Sequence, residues 1–306
     1  MSSQLSSQTP SQTPSQTPSQ TLAVRAASEP QRRSLSKSAL LVLRYLLLIL
    51  GGLIMAVPFW WMLVTSLKAP GAVLTVPPEL FPRQPTLESY AQVFAAVPIG
   101  RMFVNSLIVT VLGVSGQLIT SAMTAYAFAR MHWRGRDLVF LLYVGTLMVP
   151  FQVTITPLFI LMQRLGWVDT YQGLIAPSLI SAFGAFLLRQ AMLGVPREYE
   201  EAAFLDGANH WTIFRHVVLP MIGPALATLA VFATMGSWNS FLWPLFVTRN
   251  ERLMTLPVGL ALLQGRYTTE WSMVMAGAVI SVLPIILVYL AAQRAFVRGV
   301  ALSGLK

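Results

Sequence analysis

This chain of 306 residues contains no cysteine and few charged residues of either sign. Without a thiol, disulfides, thiolate metal sites and cysteine-based catalysis are excluded. Charged side chains make up 10% of the sequence, whereas a soluble domain usually carries about 25%. That shortage, beside 55% hydrophobic residues, points to lipid as the solvent. Histidine is scarce too: His132, His210 and His216 fall at the edges of apolar runs or between them, which leaves a metal centre or histidine-based catalysis little to build on. The net charge of +10 invites a nucleic-acid reading, but the basic residues are scattered between apolar runs and form no patch. Lysine occurs only at Lys37, Lys68 and Lys306, never after glycine. The phosphate-binding pattern G-x-x-x-x-G-K-[ST] is therefore absent.

What the sequence does have is long uncharged runs. Six of them, Tyr45–Leu67, Met102–Ala129, Leu138–Gln163, Thr170–Leu188, Val217–Thr248 and Trp271–Gln293, hold 19 residues or more. About 20 helical residues cross the hydrocarbon core, and a segment in lipid must be helical to satisfy its own backbone. The expected fold class is an all-α polytopic membrane protein. Its six transmembrane helices fall at about 40–67, 102–129, 138–163, 170–192, 217–248 and 271–293. Residues 1–34, with SQTP repeated from Ser7 to Pro18, have almost nothing apolar to bury and read as a disordered tail before a membrane domain at 35–306. The first run is too long for the apolar core of a signal peptide and reads as a retained anchor.

Orientation follows from lysine and arginine placement. With the N-terminus inside, the outer segments hold seven basic residues: Lys68, Arg83, Arg101, Arg164, Arg249, Arg252 and Arg266. The inner segments hold the other 14 of 21. Both termini are then cytoplasmic. The outer connection Lys68–Arg101, rich in proline (Pro70, Pro77, Pro78, Pro82, Pro85), suits an extended surface segment, with a short helix over Leu87–Ala96. Pro58, Pro150, Pro157, Pro177, Pro224, Pro244 and Pro284 fall within the runs, where neighbouring groups can satisfy the freed backbone.

The inner loop at 194–219 is acidic in a basic chain: Glu198, Glu200, Glu201 and Asp206 lie within nine positions. Pro196 suits the first position of a helix. The glutamates then fall in its first turn, where the helix dipole favours negative charge. Gly207 fits the left-handed position that ends a helix. Asn209 caps a second helix, whose Trp211, Phe214, Val217 and Val218 make an apolar stripe. The unit is a bent pair of short helices. Local physics leaves two readings open, a docking element whose slim Ala202–Ala203 surface enters a groove, or a well-capped interfacial loop.

The residues also carry a resemblance. Glu201-Ala202-Ala203, Gly207 and Leu219-Pro220 resemble the "EAA…G…LP" loop of ABC importer permeases, and "EEAAFLDGA" resembles the maltose-type carbohydrate uptake family. "NSLIVT" (Asn105–Thr110), "AYAFARM" (Ala125–Met131), "WNSFLWPL" (Trp238–Leu245), "TLPVGL" (Thr255–Leu260) and the last run through Gly299 are similar to other parts of that family. The likeness covers residues 40–306. It implies a type I importer (MetI-like) architecture and a non-catalytic subunit. ATP and Mg²⁺ would be bound by partner ATP-binding subunits, two per transporter. A second, distinct permease and an extracytoplasmic sugar-binding protein would complete the system, in a bilayer and without nucleic acid. Glu200, Glu201, Ala202, Ala203, Asp206 and Gly207 would form the coupling element, with Glu201 matching the acid that pairs with a basic residue of the ATPase. The family's glycine-rich C-terminus can reach the ATPase interface; here the ending "RGVALSGLK" is altered.

For the solute path, sugars need aromatic faces and a few polar groups. Gln117, Gln152, Trp238, Asn239 and Trp243 are the candidates within spans; the plainer reading is that such groups tie helices together. Two rivals remain. An ion-coupled secondary transporter usually holds ionisable residues inside its spans, and these runs contain none. A membrane enzyme needs clustered carboxylates or histidines at a face, and the single acidic cluster sits on the bent loop.

Overall fold

The structure is a computed structural model that describes residues 32–73, 79–264 and 270–303, with side chains described over 39–73, 79–264 and 270–290. The SQTP repeats, Pro77 and Pro78, Arg266 and the last residues Gly304–Lys306 lie outside the described residues. Every described element is helical. Four helical stretches are long and apolar enough to cross a membrane, Ala39–Ser66, Ile99–Arg130, Tyr171–Leu193 and Trp271–Leu290, and six if each of two bent pairs counts as one span. Leucine, isoleucine and phenylalanine side chains stand exposed along these helices, as an apolar solvent allows.

The chain divides into two compact units, Met1–Val57 and Pro58–Lys306. The described part of the first is the beginning of α1 (Arg32–Ser66), whose side chains from 39 to 57 are all exposed. In the second unit, α2 (Glu88–Ala96) forms the expected short helix of the proline-rich connection. Next comes α3 (Ile99–Arg130), 32 residues without a break. It packs on α7 (Ala182–Leu193) and α11 (Gly223–Trp238), and α11 in turn packs on α14 (Trp271–Ser303). Small residues let α3 and α7 approach closely. A Cβ on Gly184 of α7 would lie 2.4 Å from Ser121 Oγ of α3.

Three of the six expected spans are interrupted. The third is α4 (Arg136–Gly145) with a 3₁₀ turn to Met148, then α5 (Phe151–Arg164), bent by 100°. Pro150 lacks an N–H and forces Val149 into extended backbone (ψ 113°), so the helix cannot run through. The fourth runs from α6 (Tyr171–Ile175) through a 3₁₀ turn at Ala176–Leu179 to α7. The chain is extended at Ile180 and Ser181 between them. The Thr120 hydroxyl of α3 donates to the Leu179 carbonyl freed there, and Ser181 Oγ accepts from Gly184 N at 3.0 Å to cap α7. The fifth bends by 78° at Ile222, just before Pro224, and ends in a separate α12 (Leu242–Val247).

Connections gather at opposite ends of α3. At its N-terminal end, Asn105 Nδ2 donates to the carbonyls of Arg252 and Met254 (both 2.9 Å), and Ser106 Oγ accepts from Leu256 N (2.8 Å) at the start of α13 (Leu256–Ala261). Tyr171 OH donates to Asn105 Oδ1 (2.7 Å). Asp169, at φ 57°, accepts from the backbone N–H groups of Arg249 and Asn250. The other end carries the 131–135 turn and the acidic loop.

Candidate functional site

The acidic loop folds as two short helices. The first is α8 (Glu198–Leu205), with Glu198, Glu200 and Glu201 in its first turn. Pro196 sits two residues ahead of it, because the Arg197 carbonyl already accepts from Glu200 and Glu201. Gly207 has φ 85°. Its N–H donates to the Phe204 carbonyl, and that of Ala208 donates to the Ala203 carbonyl. This pair of bonds closes a helix on a left-handed residue. Asn209 Oδ1 accepts from Thr212 N at 2.9 Å and caps α9 (His210–Ile213). A π-helical turn over Phe214–Val218 and α10 (Leu219–Met221) lead on to the bend.

The two faces of α8 differ. Glu198, Glu201, Ala202 and Leu205 follow the i, i+3, i+4, i+7 spacing of one helix face and are exposed, Leu205 at 90%. Glu201 has no ion-pair partner among the described residues. Glu200 faces the other way, 7% exposed. Its Oε1 lies 2.7 Å from Arg130 Nε, at the end of α3. Glu200 is therefore not available as the external contact expected of it; burial beside a guanidinium explains why a carboxylate tolerates that position. Ala203, one turn on, is also turned inward and packs against the apolar cluster. Its smallness lets the loop sit close to the bundle, whereas Ala202 faces out. Asp206 and Gly207 are exposed. The stripe of the second arm is shifted as well. Ile213, Phe214 and Val218 are buried and Val217 partly so, but Trp211 is exposed, with its ring 5.6 Å from that of Phe214.

A cavity of about 390 Å³ opens between α3, α5, the interrupted fourth span and α11. Of the five candidates for a solute path, Gln117 and Trp243 line it. Trp243 Nε1 donates to the Gly173 carbonyl at 2.9 Å, which fixes the ring. Gly173 is required there, as a Cβ would lie 2.1 Å from the Trp167 carbonyl oxygen. Gln152 is exposed beside Phe151, and Asn239 is exposed with its amide bonded back to Met235 O. Neither lines the cavity. Trp238, buried as Trp243 is, lies elsewhere, between α11 and α14, its Nε1 donating to Ser281 O at 3.1 Å. It borders a second cavity of about 340 Å³ with Phe103 and Pro284.

Sequence reasoning missed Ser178, Ser237 and Ser240, which line the first cavity with Phe151, Phe183 and Phe232; the hydroxyls of Ser178 and Ser237 donate to Ile175 O (2.7 Å) and Thr110 Oγ1 (3.3 Å). A signal was present. Ala233, Gly236 and Ser237 are small residues at i, i+3 and i+4 of α11, a face that leaves room beside a helix, and Ser240 follows in the turn after it. Among the described residues no charged side chain lines this cavity.

The family described as "Binding-protein-dependent transport system inner membrane component" matches residues 117–302. Over 222 residues the chain is 37% identical to the arabinooligosaccharides transport system permease protein AraQ of Halalkalibacterium halodurans, covering 72% of this chain and 80% of that protein. It is 31% identical over 262 residues to the lactose transport system permease protein LacG of Rhizobium radiobacter, covering 84% and 94%. Among solved structures it resembles a chain of a bacterial ABC transporter involved in the import of the acidic polysaccharide alginate. The TM-score is 0.76 at 26% identity, covering 86% of this chain and 98% of that one.

Proposed function

The chain belongs to the family of binding-protein-dependent transport system inner membrane components, and from that membership we propose that it forms one half of the translocation pathway of an importer for uncharged saccharides. It is a multi-pass inner membrane permease of an ABC importer. In this reading both termini and the 196–218 loop face the cytoplasm. A second permease completes the pathway, and an extracytoplasmic sugar-binding protein delivers the solute. Two separate ATP-binding subunits hold and hydrolyse Mg²⁺–ATP, and each engages one permease through such a loop. When they close on ATP, the docked loops move as rigid bodies and the bundle switches its access.

The outward face of α8 carries the coupling reading. Tyr199, Phe204, Leu205 and Trp211 are all exposed on one short loop beside Glu201 and Asp206. Clustered apolar side chains rimmed by acids mark a surface made to be covered. The acids supply the charge that a basic cleft would meet. Glu201, Ala202, Asp206 and the turn at Gly207 are the coupling residues; Glu200 and Ala203 brace them from behind.

The cavity supports the solute class. Ser240 and the Gln117 amide offer donors and acceptors, the Ser178 and Ser237 hydroxyls, which donate to Ile175 O and Thr110 Oγ1, offer acceptors, and Phe151, Phe183 and Phe232 offer exposed faces beside the buried Trp243. With no fixed charge along this wall, a neutral sugar is desolvated at less cost than an anionic one. Gln117, Trp243, Ser178, Ser237 and Ser240 are the residues assigned to it.

The test is reconstitution. The chain is purified with the subunits that accompany it and placed in vesicles, and uptake of labelled neutral oligosaccharide is followed. Uptake that requires ATP hydrolysis is expected, with an acidic saccharide excluded. Uptake by this chain without an ATPase, driven by an ion gradient, would identify a secondary transporter instead. Equal uptake of the acidic sugar would overturn the neutral-solute reading.

A further inference from the structure

One turn of α3 holds both arms of the bent loop. Tyr126 and Arg130 are four residues apart and share a face of that helix. The Tyr126 hydroxyl lies 3.2 Å from Nδ1 of His210, the first residue of α9. Arg130 Nε is 2.7 Å from Glu200 in α8, and its Nη2 donates to the carbonyls of Met192 (2.7 Å) and Val195 (2.8 Å), where α7 gives way to the loop. The ion pair is withdrawn from water, with side-chain exposures of 4% and 9%. Around it Tyr126, Met192, Ile213, Phe214 and Val218 form one apolar cluster.

The covalent continuations of the loop are poor levers. α7 is preceded by the extended residues Ile180 and Ser181, and α9 to α11 is bent by 78° at Ile222. By contrast α3 runs unbroken from Arg130 past Gln117 and Ser106, which line the first cavity. Arg130 and Gln117 are 13 positions apart, about 20 Å along a helix.

We propose that Arg130, with Tyr126, makes α3 the receiver of the loop's motion, so that loop and α3 travel as one body and the displacement reaches the cavity wall through a straight helix. The inference rests on the coupling reading above. Arg130 is here a positioning residue. It touches neither solute nor nucleotide, and opening the clamp would leave both charges without a partner in a dry site.

Because the chain has no cysteine, Arg215→Cys with Met123→Cys, at two exposed positions, places spin labels across the clamp in the transporter assembled with its partner subunits. The expected result is a label separation that is the same in nucleotide-free and ATP-bound states. It broadens in the double variant Arg130→Met/Glu200→Met. Solute moved per ATP hydrolysed then falls about tenfold, within the usual range of coupling between sites. A separation that shifts between nucleotide states in the otherwise unaltered protein overturns the inference. So does an undiminished ratio in the double variant, whether or not its separation has broadened. Crosslinking from Leu205→Cys keeps the two readings distinct: capture of the ATPase with a shifting separation sinks the clamp alone, and failure to capture it sinks the coupling reading and the clamp together.

Discussion

Glu200 and Glu201 are neighbours in the chain and face opposite ways: Glu200 is buried 2.7 Å from Arg130, and Glu201 stands exposed on the far side of the same helix. Their replacements should therefore fail differently. Glu200→Ala leaves a buried guanidinium without its carboxylate, which typically costs about 3–5 kcal/mol. Thermal unfolding of the purified complex should move down sharply. Glu201→Ala should leave unfolding near that of the parent while uptake per ATP hydrolysed drops. Equal destabilisation by the two would contradict the division of faces.

Gly207 offers a test of conformation against size. Nothing lies within 4 Å of the position a Cβ would take, and φ is 85°. The penalty for a side chain is thus backbone strain, about 1–2 kcal/mol for an ordinary L-residue in the left-handed region. Asparagine tolerates that region better than alanine despite its greater bulk. Uptake should rank Gly207→Asn above Gly207→Ala and both above Gly207→Val. A ranking by side-chain volume would mean that a partner's surface, not the turn, sets the requirement.

The two tryptophans of the fifth span separate solute contact from packing. Trp243 and Gln117 line the first cavity, while Trp238 is tied to Ser281 O away from it. Trp243→Ala or Gln117→Ala should raise the KM for saccharide uptake. Trp238→Phe removes one buried hydrogen bond, about 1 kcal/mol, and should lower thermal stability with KM unchanged. A KM effect at Trp238 matching that at Trp243 would place the solute path along the second cavity instead.

How far these features were legible depends on how local their causes are. The membrane class, the turn at Gly207 and the Asn209 cap follow from composition and from bonds within a few residues, and they read directly from the sequence. The orientation of Glu200 does not. Its partner is 70 positions away, so "EYEEAAFLDG" shows four acids but not which of them turns inward. Likewise the six apolar runs were visible, whereas the breaks were not. Seven prolines lie in those runs; Pro58, Pro157 and Pro284 sit inside continuous helices, while Pro150 and Pro224 sit at bends. Proline marks where a bend is possible, and tertiary partners such as Thr120 at the Leu179 carbonyl decide where a break is tolerated. The serines of the cavity do not stand out in the sequence, because hydroxyls are common in membrane helices, where they tie neighbours together.

The contact between α3 and α7 carries the last prediction, because it holds both the cavity wall and the end that bears Arg130. At Gly184 an added Cβ would meet Ser121 Oγ at 2.4 Å, Ser121 Cβ at 3.1 Å and Leu229 Cδ2 at 3.2 Å. Relieving that contact requires the Ser121 hydroxyl to rotate or the helices to shift, and overpacking of this kind typically costs about 1–3 kcal/mol. Gly184→Ala should lower the unfolding temperature of the complex. Ser121 Oγ has no hydrogen-bond partner among the described residues, so Ser121→Ala alone should be tolerated, and combined with Gly184→Ala it should recover part of the loss. The recovery should stay partial, since the Cβ contacts remain. Additive losses in the double variant, measured by thermal unfolding, would show that the helices had already separated at this point and that close approach is not what holds α3 against α7.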